Sequence, residues 1–145
     1  MLKKFVAVVL GAALALPFHL PVQGDDTDYP LPFQQYLKQL EIESDWFREG
    51  SAKKHYHFLS SAPTGRLIAL SNTTCTKFQL GQPYEIIKAS VEAASNSMFP
   101  ARVVNKLGTS GISRFADVAI KSAVVNKCPQ FSSRLPELDY VLPKD

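Results

Sequence analysis

The chain has 145 residues, 46% of them hydrophobic, and a net charge of +3 from 16 basic and 13 acidic side chains. This length suits one domain with its own core. Two of the basic residues, Lys3 and Lys4, lie in a predicted signal segment, and without them the net charge is +1, which gives no electrostatic reason to expect binding to nucleic acid or to an anionic membrane.

Residues 1–24 are predicted to be a cleaved signal peptide. The lysine pair supplies the positive start, and an uncharged apolar run follows at 5–16. A helix of that length covers about 18 Å, which is short of the roughly 30 Å hydrocarbon core of a bilayer. We therefore expect a secreted or periplasmic mature chain without a membrane span, cleaved after Gly24, with cleavage after Ala15 as the alternative.

The first element expected in the mature chain is a helix. Residues 25–32 are acidic and proline-bound, so they are predicted to form an extended N-terminal arm. A helix is expected from Phe33, because apolar residues recur there at helical spacing. Trp46 and Phe47 are expected to extend the apolar surface into a further turn or a second helix, ended by Gly50.

Four more helices are predicted between residues 64 and 128, at about 64–80, 83–94, 100–107 and 110–127. Gly81 follows the first of them, where a helix C-terminus favours a residue with positive φ, and Gly108 closes the third. The tail, 132–145, contains two prolines and is predicted to be irregular. The side chains expected to be mostly buried are Phe33, Leu37, Leu40, Leu67, Leu70, Phe78, Ile87, Val91, Val104, Phe115, Ala119 and Ile120.

Cys75 and Cys128 are the only cysteines of the chain. A single pair in a small exported protein is typical of one disulfide, with two free thiols or one catalytic cysteine as the alternatives. The bond would join positions 53 residues apart and would stabilise the fold by about 4 kcal/mol. The sequence therefore predicts an all-α fold, a small disulfide-linked bundle of about four to six helices over residues 33–131.

The arrangement of residues around the two cysteines resembles a known family. Cys75 begins a C-x-x-(apolar)-x-x-G helix end that closes at Gly81, and a later alanine-rich helix is predicted to end in Cys-Pro-Gln-Phe at 128–131. This ordered set is similar to the domain-of-unknown-function family 732, which consists of small exported bacterial helical proteins. The likeness covers roughly residues 33–42 and 66–131. It implies a helical fold with one disulfide and no activity, because the family has none assigned.

His55 and His57 are the only histidines that remain after signal cleavage. Residues 51–59 could form a helix or a short strand, and we favour the helix because the surrounding elements are helical. On a strand the two imidazoles would face one side and could bind copper or zinc, with Asp45 or Glu49 as a third ligand. On a helix they point about 200° apart. We therefore expect no metal site, with His55 and His57 as the alternative metal ligands.

No other pattern in the sequence indicates catalysis. There is no C-x-x-C redox pair, no H-E-x-x-H and no G-x-S-x-G. Cys-His catalysis would need an unpaired cysteine, which conflicts with the disulfide. No motif selects a catalytic pair among the carboxylates of Glu41, Glu43, Asp45 and Glu49, so a solvated helix face is expected. Asn72, in an Asn-Thr-Thr glycosylation pattern, is predicted to be a surface residue.

The sequence therefore favours a non-enzymatic exported domain without a cofactor, which binds an unknown protein or envelope partner. One alternative is a carrier that holds a small apolar ligand in a cavity lined by aromatic side chains. The other alternative is a metal-binding protein that uses His55 and His57.

Overall fold

The computed structural model describes residues 29–44, 48–49, 54–55 and 57–137. The predicted signal peptide, its cleavage sites, and parts of the N-terminal arm and of the tail lie outside these residues. The described elements are four α-helices, two short 3-10 helices and one antiparallel pair of two-residue strands. In chain order they are α1 (Leu31–Ser44), β1 (Arg48–Glu49), β2 (Lys54–His55), η1 (Phe58–Ser61), α2 (Thr64–Gln79), α3 (Tyr84–Met98), α4 (Ala101–Lys127) and η2 (Pro129–Arg134).

The predicted all-α bundle is confirmed, with α4 at its centre. Helices α1, α2 and α3 each pack against α4. The inner face of α4 follows the helical repeat that the sequence predicts, and Ile112, Phe115, Ala119 and Ile120 are all buried along it. None of the described helices is both long enough and apolar enough to cross a membrane.

Prolines and glycines set the boundaries of the helices. Pro63, Pro83 and Pro100 stand immediately before α2, α3 and α4 in an extended conformation. Proline suits this place because its missing N–H would have no partner inside the helix. Gly81, with φ 77°, ends α2, and Gly108, with φ 68°, breaks α4 into the segments 101–107 and 109–127. Both glycines therefore act as the sequence predicts.

The predicted disulfide is present between Cys75 and Cys128, whose Cα atoms are 6.0 Å apart. It joins the middle of α2 to the residue that follows α4. Cys128 is buried and Cys75 is half-buried, so the bond lies at the edge of the core. The separation is within the range that an unstrained backbone allows.

The helix favoured for residues 51–59 is wrong. Strand β2 pairs with β1, so that Arg48 faces His55 and Glu49 faces Lys54, and the chain then enters the 3-10 helix η1. At the end of the segment Phe58 is buried in the core and Leu59 packs against it from the 3-10 helix. The expected helical extension towards Gly50 is also wrong at residues 48–49, while Trp46, Phe47 and Gly50 themselves lie outside the described residues.

Two further expectations need correction. The tail is regular at its start, because η2 extends to Arg134, whose guanidinium donates to the carbonyl oxygens of Phe78 (2.7 Å) and Gln82 (2.6 Å) at the end of α2. The predicted core residues are buried except Phe33 and Val104, which are half-buried. Phe33 lies near the start of α1, where the ammonium of a lysine covers its ring.

Candidate functional site

A cavity of about 620 Å³ lies between α1 and the chain that runs from η1 into α2. Sites for small molecules have volumes of roughly 300–1,000 Å³, so its size suits such a ligand. The cavity opens to solvent along a rim of exposed side chains. Its lining residues are Leu37, Lys38, Leu40, Glu41, Ile42, Ser44, His57, Phe58, Leu59, Ser60, Thr64 and Leu67.

Helix α1 forms one wall of the cavity. Its buried positions Leu37, Leu40 and Ser44 are separated by three and four residues and therefore share one face. Lys38 and Ile42 lie four residues apart at the exposed rim, and 62% of Ile42 is accessible to solvent. The amphipathic pattern of α1 therefore gives the cavity an apolar wall and a mixed rim.

Phe58 and Leu67 form the opposite wall. The ring of Phe58 meets Phe99 and Phe115 edge-on, with centroids 5.6 and 5.8 Å apart, and these contacts fix its position. Leu67 is held near α1 because its carbonyl oxygen accepts a hydrogen bond of 3.0 Å from the hydroxyl of Tyr36. Burial raises the pKa of Tyr36 well above its usual value, so this hydroxyl stays a donor. Both walls are therefore anchored to the core.

Ser44 has an unusual position in this site. Its side chain is buried and lines the cavity, yet its hydroxyl oxygen has no hydrogen-bond partner among the described residues. The buried hydroxyls of Ser71, Thr74 and Ser95 each donate to a carbonyl oxygen of their own helix. The Ser122 hydroxyl is also buried and has no hydrogen-bond partner in the described part of the chain, but Ser122 is not among the residues given for the cavity lining. A buried polar group in this state costs about 1–3 kcal/mol, so the end of α1 carries a locally unfavourable position at Ser44.

The structure does not bring His55 and His57 onto one strand face. His55 belongs to β2, whereas His57 precedes η1 with φ −81° and ψ 69°. Two residues that are two positions apart face one side only when the backbone is extended, and that of His57 is not. Asp45 lies outside the described residues. Within the part of the chain that the structure describes, no three His, Cys, Asp or Glu residues come together as a metal site would need. His57 is instead an exposed part of the cavity rim.

The candidate carboxylates separate into different environments. Glu43 forms an ion pair of 3.2 Å with Lys121 and accepts a hydrogen bond from Gln39, so it ties α1 to α4. Glu41 is exposed at the cavity rim, and Glu49 lies in β1. Glu41 and Glu43 therefore lie in different environments, one in solvent and the other in an ion pair.

A second polar cluster surrounds Lys127. Its ammonium donates to Ser71 Oγ at 2.8 Å and to Asn72 Oδ1, and it lies 3.8 Å from the centre of the Phe33 ring. Asn72 is exposed, as the sequence predicts, but the contact with Lys127 holds it. Burial lowers the pKa of Lys127 to about 8. The cluster joins α1, α2 and α4, so its role is to connect the helices.

The sequence pattern alone did not single out Ser44, Phe58 or Leu67 as members of one site. A signal for Ser44 does exist, because it follows Leu37 and Leu40 at helical spacing and therefore falls on the buried face of α1. Phe58 and Leu67 meet that face only through the tertiary fold.

Comparison of the chain with protein-family models, with curated proteins and with solved structures finds no match. The similarity to family 732 therefore stays a prediction.

Proposed function

We propose that this chain is an exported, non-enzymatic binding module that carries a small apolar ligand in the cavity between α1 and η1. The observation that carries the proposal is the cavity of about 620 Å³, open to solvent and walled by Leu37, Leu40, Phe58 and Leu67. Export is part of the proposal and is supported by the charged and apolar pattern of residues 1–24.

The affinity of this site would come mainly from the apolar side chains that remain open at the cavity, which are Ile42, at 62% exposure, and the half-buried Leu59. The four wall residues lie behind them and are each 7% exposed or less. Removing apolar surface from water contributes about 25 cal/mol per Å² before the costs of association. The walls are fixed by the aromatic contacts of Phe58 and by the Tyr36 hydrogen bond, so little ordering is needed when a ligand enters.

The two serine hydroxyls that line the cavity support binding rather than catalysis. A serine nucleophile needs a general base within hydrogen-bond distance. The Ser60 hydroxyl donates to the backbone carbonyl of His57 at 2.9 Å, and the Ser44 hydroxyl has no partner among the described residues. Neither hydroxyl is therefore activated.

Titration with the neutral fluorescent probe N-phenyl-1-naphthylamine tests the proposal. The informative variant is Ile42→Asp, which places a carboxylate on the cavity rim without disturbing the core, because Ile42 is 62% exposed. The matched control is Ile86→Asp, since Ile86 is 55% exposed on α3 and does not line the cavity. Loss of about 1 kcal/mol of apolar contact would weaken probe binding about fivefold in Ile42→Asp.

The control variant should bind the probe like the wild type. Equal affinity in all three proteins would place the probe elsewhere and overturn the proposed site. Failure of the wild type to bind any neutral apolar probe would overturn the proposed carrier function itself.

A further inference from the structure

We propose that the bond between Cys75 and Cys128 is a reversible thiol–disulfide exchange site, at which a small thiol attacks the sulfur of Cys75. The inference goes beyond the proposed function and does not depend on a ligand in the cavity. It depends on two features of the described chain. One is the unequal burial of the two cysteines, and the other is the set of noncovalent contacts on both sides of the bond.

The two cysteines differ in their access to solvent. Cys75 is half-buried in the middle of α2, whereas Cys128 is 3% exposed and follows the end of α4. In thiol–disulfide exchange a thiolate attacks one sulfur and the other sulfur leaves, so the reaction begins at the sulfur that the thiolate can reach. The thiolate therefore bonds to Cys75, and Cys128 is the leaving group.

The exchange has two steps. In the first, a bond forms between the small thiolate and Cys75 Sγ, the bond between the two cysteines breaks, and Cys128 leaves as a thiolate that takes a proton from water. In the second, another thiolate attacks the small-thiol sulfur of the mixed disulfide, which releases Cys75 as a thiolate and forms a small-molecule disulfide. That small-molecule disulfide is the oxidant that reverses both steps.

Noncovalent contacts join the same two segments on both sides of the disulfide. On the side that precedes Cys128, the ammonium of Lys127 donates to Ser71 Oγ at 2.8 Å and to Asn72 Oδ1. Both acceptors lie on α2, about one helical turn before Cys75. These hydrogen bonds hold the end of α4 against α2 without any covalent bond.

On the side that follows Cys128, an aromatic pair and a guanidinium attach η2 to the end of α2. The ring of Phe131 stacks on that of Phe78, with centroids 5.7 Å apart. The guanidinium of Arg134 donates to the carbonyl oxygens of Phe78 at 2.7 Å and Gln82 at 2.6 Å. A cation is favourable there because the last carbonyl groups of a helix carry a partial negative charge.

These contacts should keep the two thiols together when the bond is open. The Cα atoms of the cysteines are 6.0 Å apart, and the chain is held on either side of them. Such a tether gives each thiol a high effective concentration for the other. The bond can therefore open and close while α2 and α4 stay packed, although it still stabilises the fold by restricting the unfolded chain.

Reaction of the oxidised protein with reduced glutathione tests which sulfur is attacked. Free thiols are trapped with iodoacetamide at early times, and peptide mass spectrometry locates the mixed disulfide. We expect glutathione on Cys75 and the alkyl group on Cys128, in roughly tenfold excess over the reverse arrangement. An equal distribution, an excess of glutathione on Cys128, or failure of glutathione to open the bond would overturn the inference.

The variants Cys128→Ser and Cys75→Ser are a matched pair, because each lacks the bond and keeps one thiol. With oxidised glutathione, the thiol of Cys75 should react roughly tenfold faster than the thiol of Cys128. Circular dichroism should show the same helical signal in both variants as in the wild type. Equal rates in two helical proteins would contradict the assignment of Cys75, and loss of the helical signal in both would contradict a fold that survives opening of the bond.

Equilibration in a glutathione redox buffer measures the effective concentration of the two thiols and so tests the contacts around the bond. Arg134→Ala is compared with the wild type and with the control Arg102→Ala, since Arg102 is exposed at the other end of α4. The effective concentration should fall about tenfold in Arg134→Ala, which is the size expected for a hydrogen bond to a charged group at a partly exposed site. Arg134→Lys, which keeps the charge, should recover part of this loss, and the control should match the wild type. Equal effective concentrations in Arg134→Ala and the wild type would refute the role given to these contacts.

Discussion

Replacing Phe115 by alanine should destabilise the protein by about 3–5 kcal/mol. Phe115 is fully buried in α4, and its ring meets Phe99 and Phe58 edge-on with centroids 5.2 and 5.8 Å away. Each aromatic pair contributes about 0.5–1.5 kcal/mol beyond the burial of area, so the two contacts account for about 1–3 kcal/mol of the total. The cavity left in the core accounts for the rest.

Urea denaturation followed by circular dichroism at 222 nm measures this loss, because the described fold is almost entirely helical. Phe115→Leu keeps most of the apolar volume and loses the ring contacts, so it should cost about 1–3 kcal/mol. Phe131→Ala is the control, since Phe131 is half-buried and stacks on Phe78 at the surface end of the bundle. It should cost less than Phe115→Ala.

The double variant Phe58→Leu/Phe115→Leu isolates the ring contact. Its destabilisation should be smaller than the sum of the two single variants by about 0.5–1.5 kcal/mol, which is the coupling of one aromatic pair. A loss below about 1 kcal/mol for Phe115→Ala would refute the reasoning that places this ring at the centre of the core. Strict additivity in the double variant would refute the contact between Phe58 and Phe115.

Three further predictions concern other parts of the chain. The Cys75→Ser/Cys128→Ser double variant should lose about 4 kcal/mol in urea denaturation, and the wild type should release no thiol to Ellman's reagent until it is reduced. Burial lowers the pKa of Lys127 from 10.5 to about 8. Between these pH values the unfolded chain keeps the Lys127 proton while the native chain has lost it, so the free energy of unfolding should rise from pH 8 to 10.5. That rise should be absent from Lys127→Met when both proteins are melted across this range, and a parallel pH dependence would show that Lys127 is not its source. Mass spectrometry of the exported chain should give an N-terminus at Asp25, and a mass that retains residues 1–24 would contradict the signal peptide.

Elements marked by local chemistry were predictable from the sequence. Pro83 and Pro100 stand at two helix starts, and Gly81 and Gly108 take the positive φ that only glycine adopts easily. The inner face of α4 was predictable for a similar reason, because a long helix repeats its apolar positions often enough to define one side.

The segment before α2 was not predictable in the same way. Residues 51–59 carry no repeat of either period, and the paired strands there depend on partners at 48–49 rather than on local propensity. The cavity was not predictable from the sequence either. Phe58 and Leu67 face α1 because both pack in the tertiary fold organised around α4. Phe33 was predicted to be mostly buried, but it is half-buried. Its ring contacts the ammonium of Lys127, and a contact between residues so far apart in the chain depends on the tertiary fold.

The covalent loop closed by Cys75 and Cys128 has a topological consequence for the proposed ligand site. Helix α3 and the whole of α4 belong to the loop, whereas α1 lies outside it. Helix α1 is held by contacts such as the Tyr36 hydrogen bond and the Glu43–Lys121 ion pair. The wall that carries Ser44 can therefore separate from the bundle without any strain on the ring. Amide hydrogen exchange should be faster in α1 than in α4, and a bound ligand should slow it in α1 first.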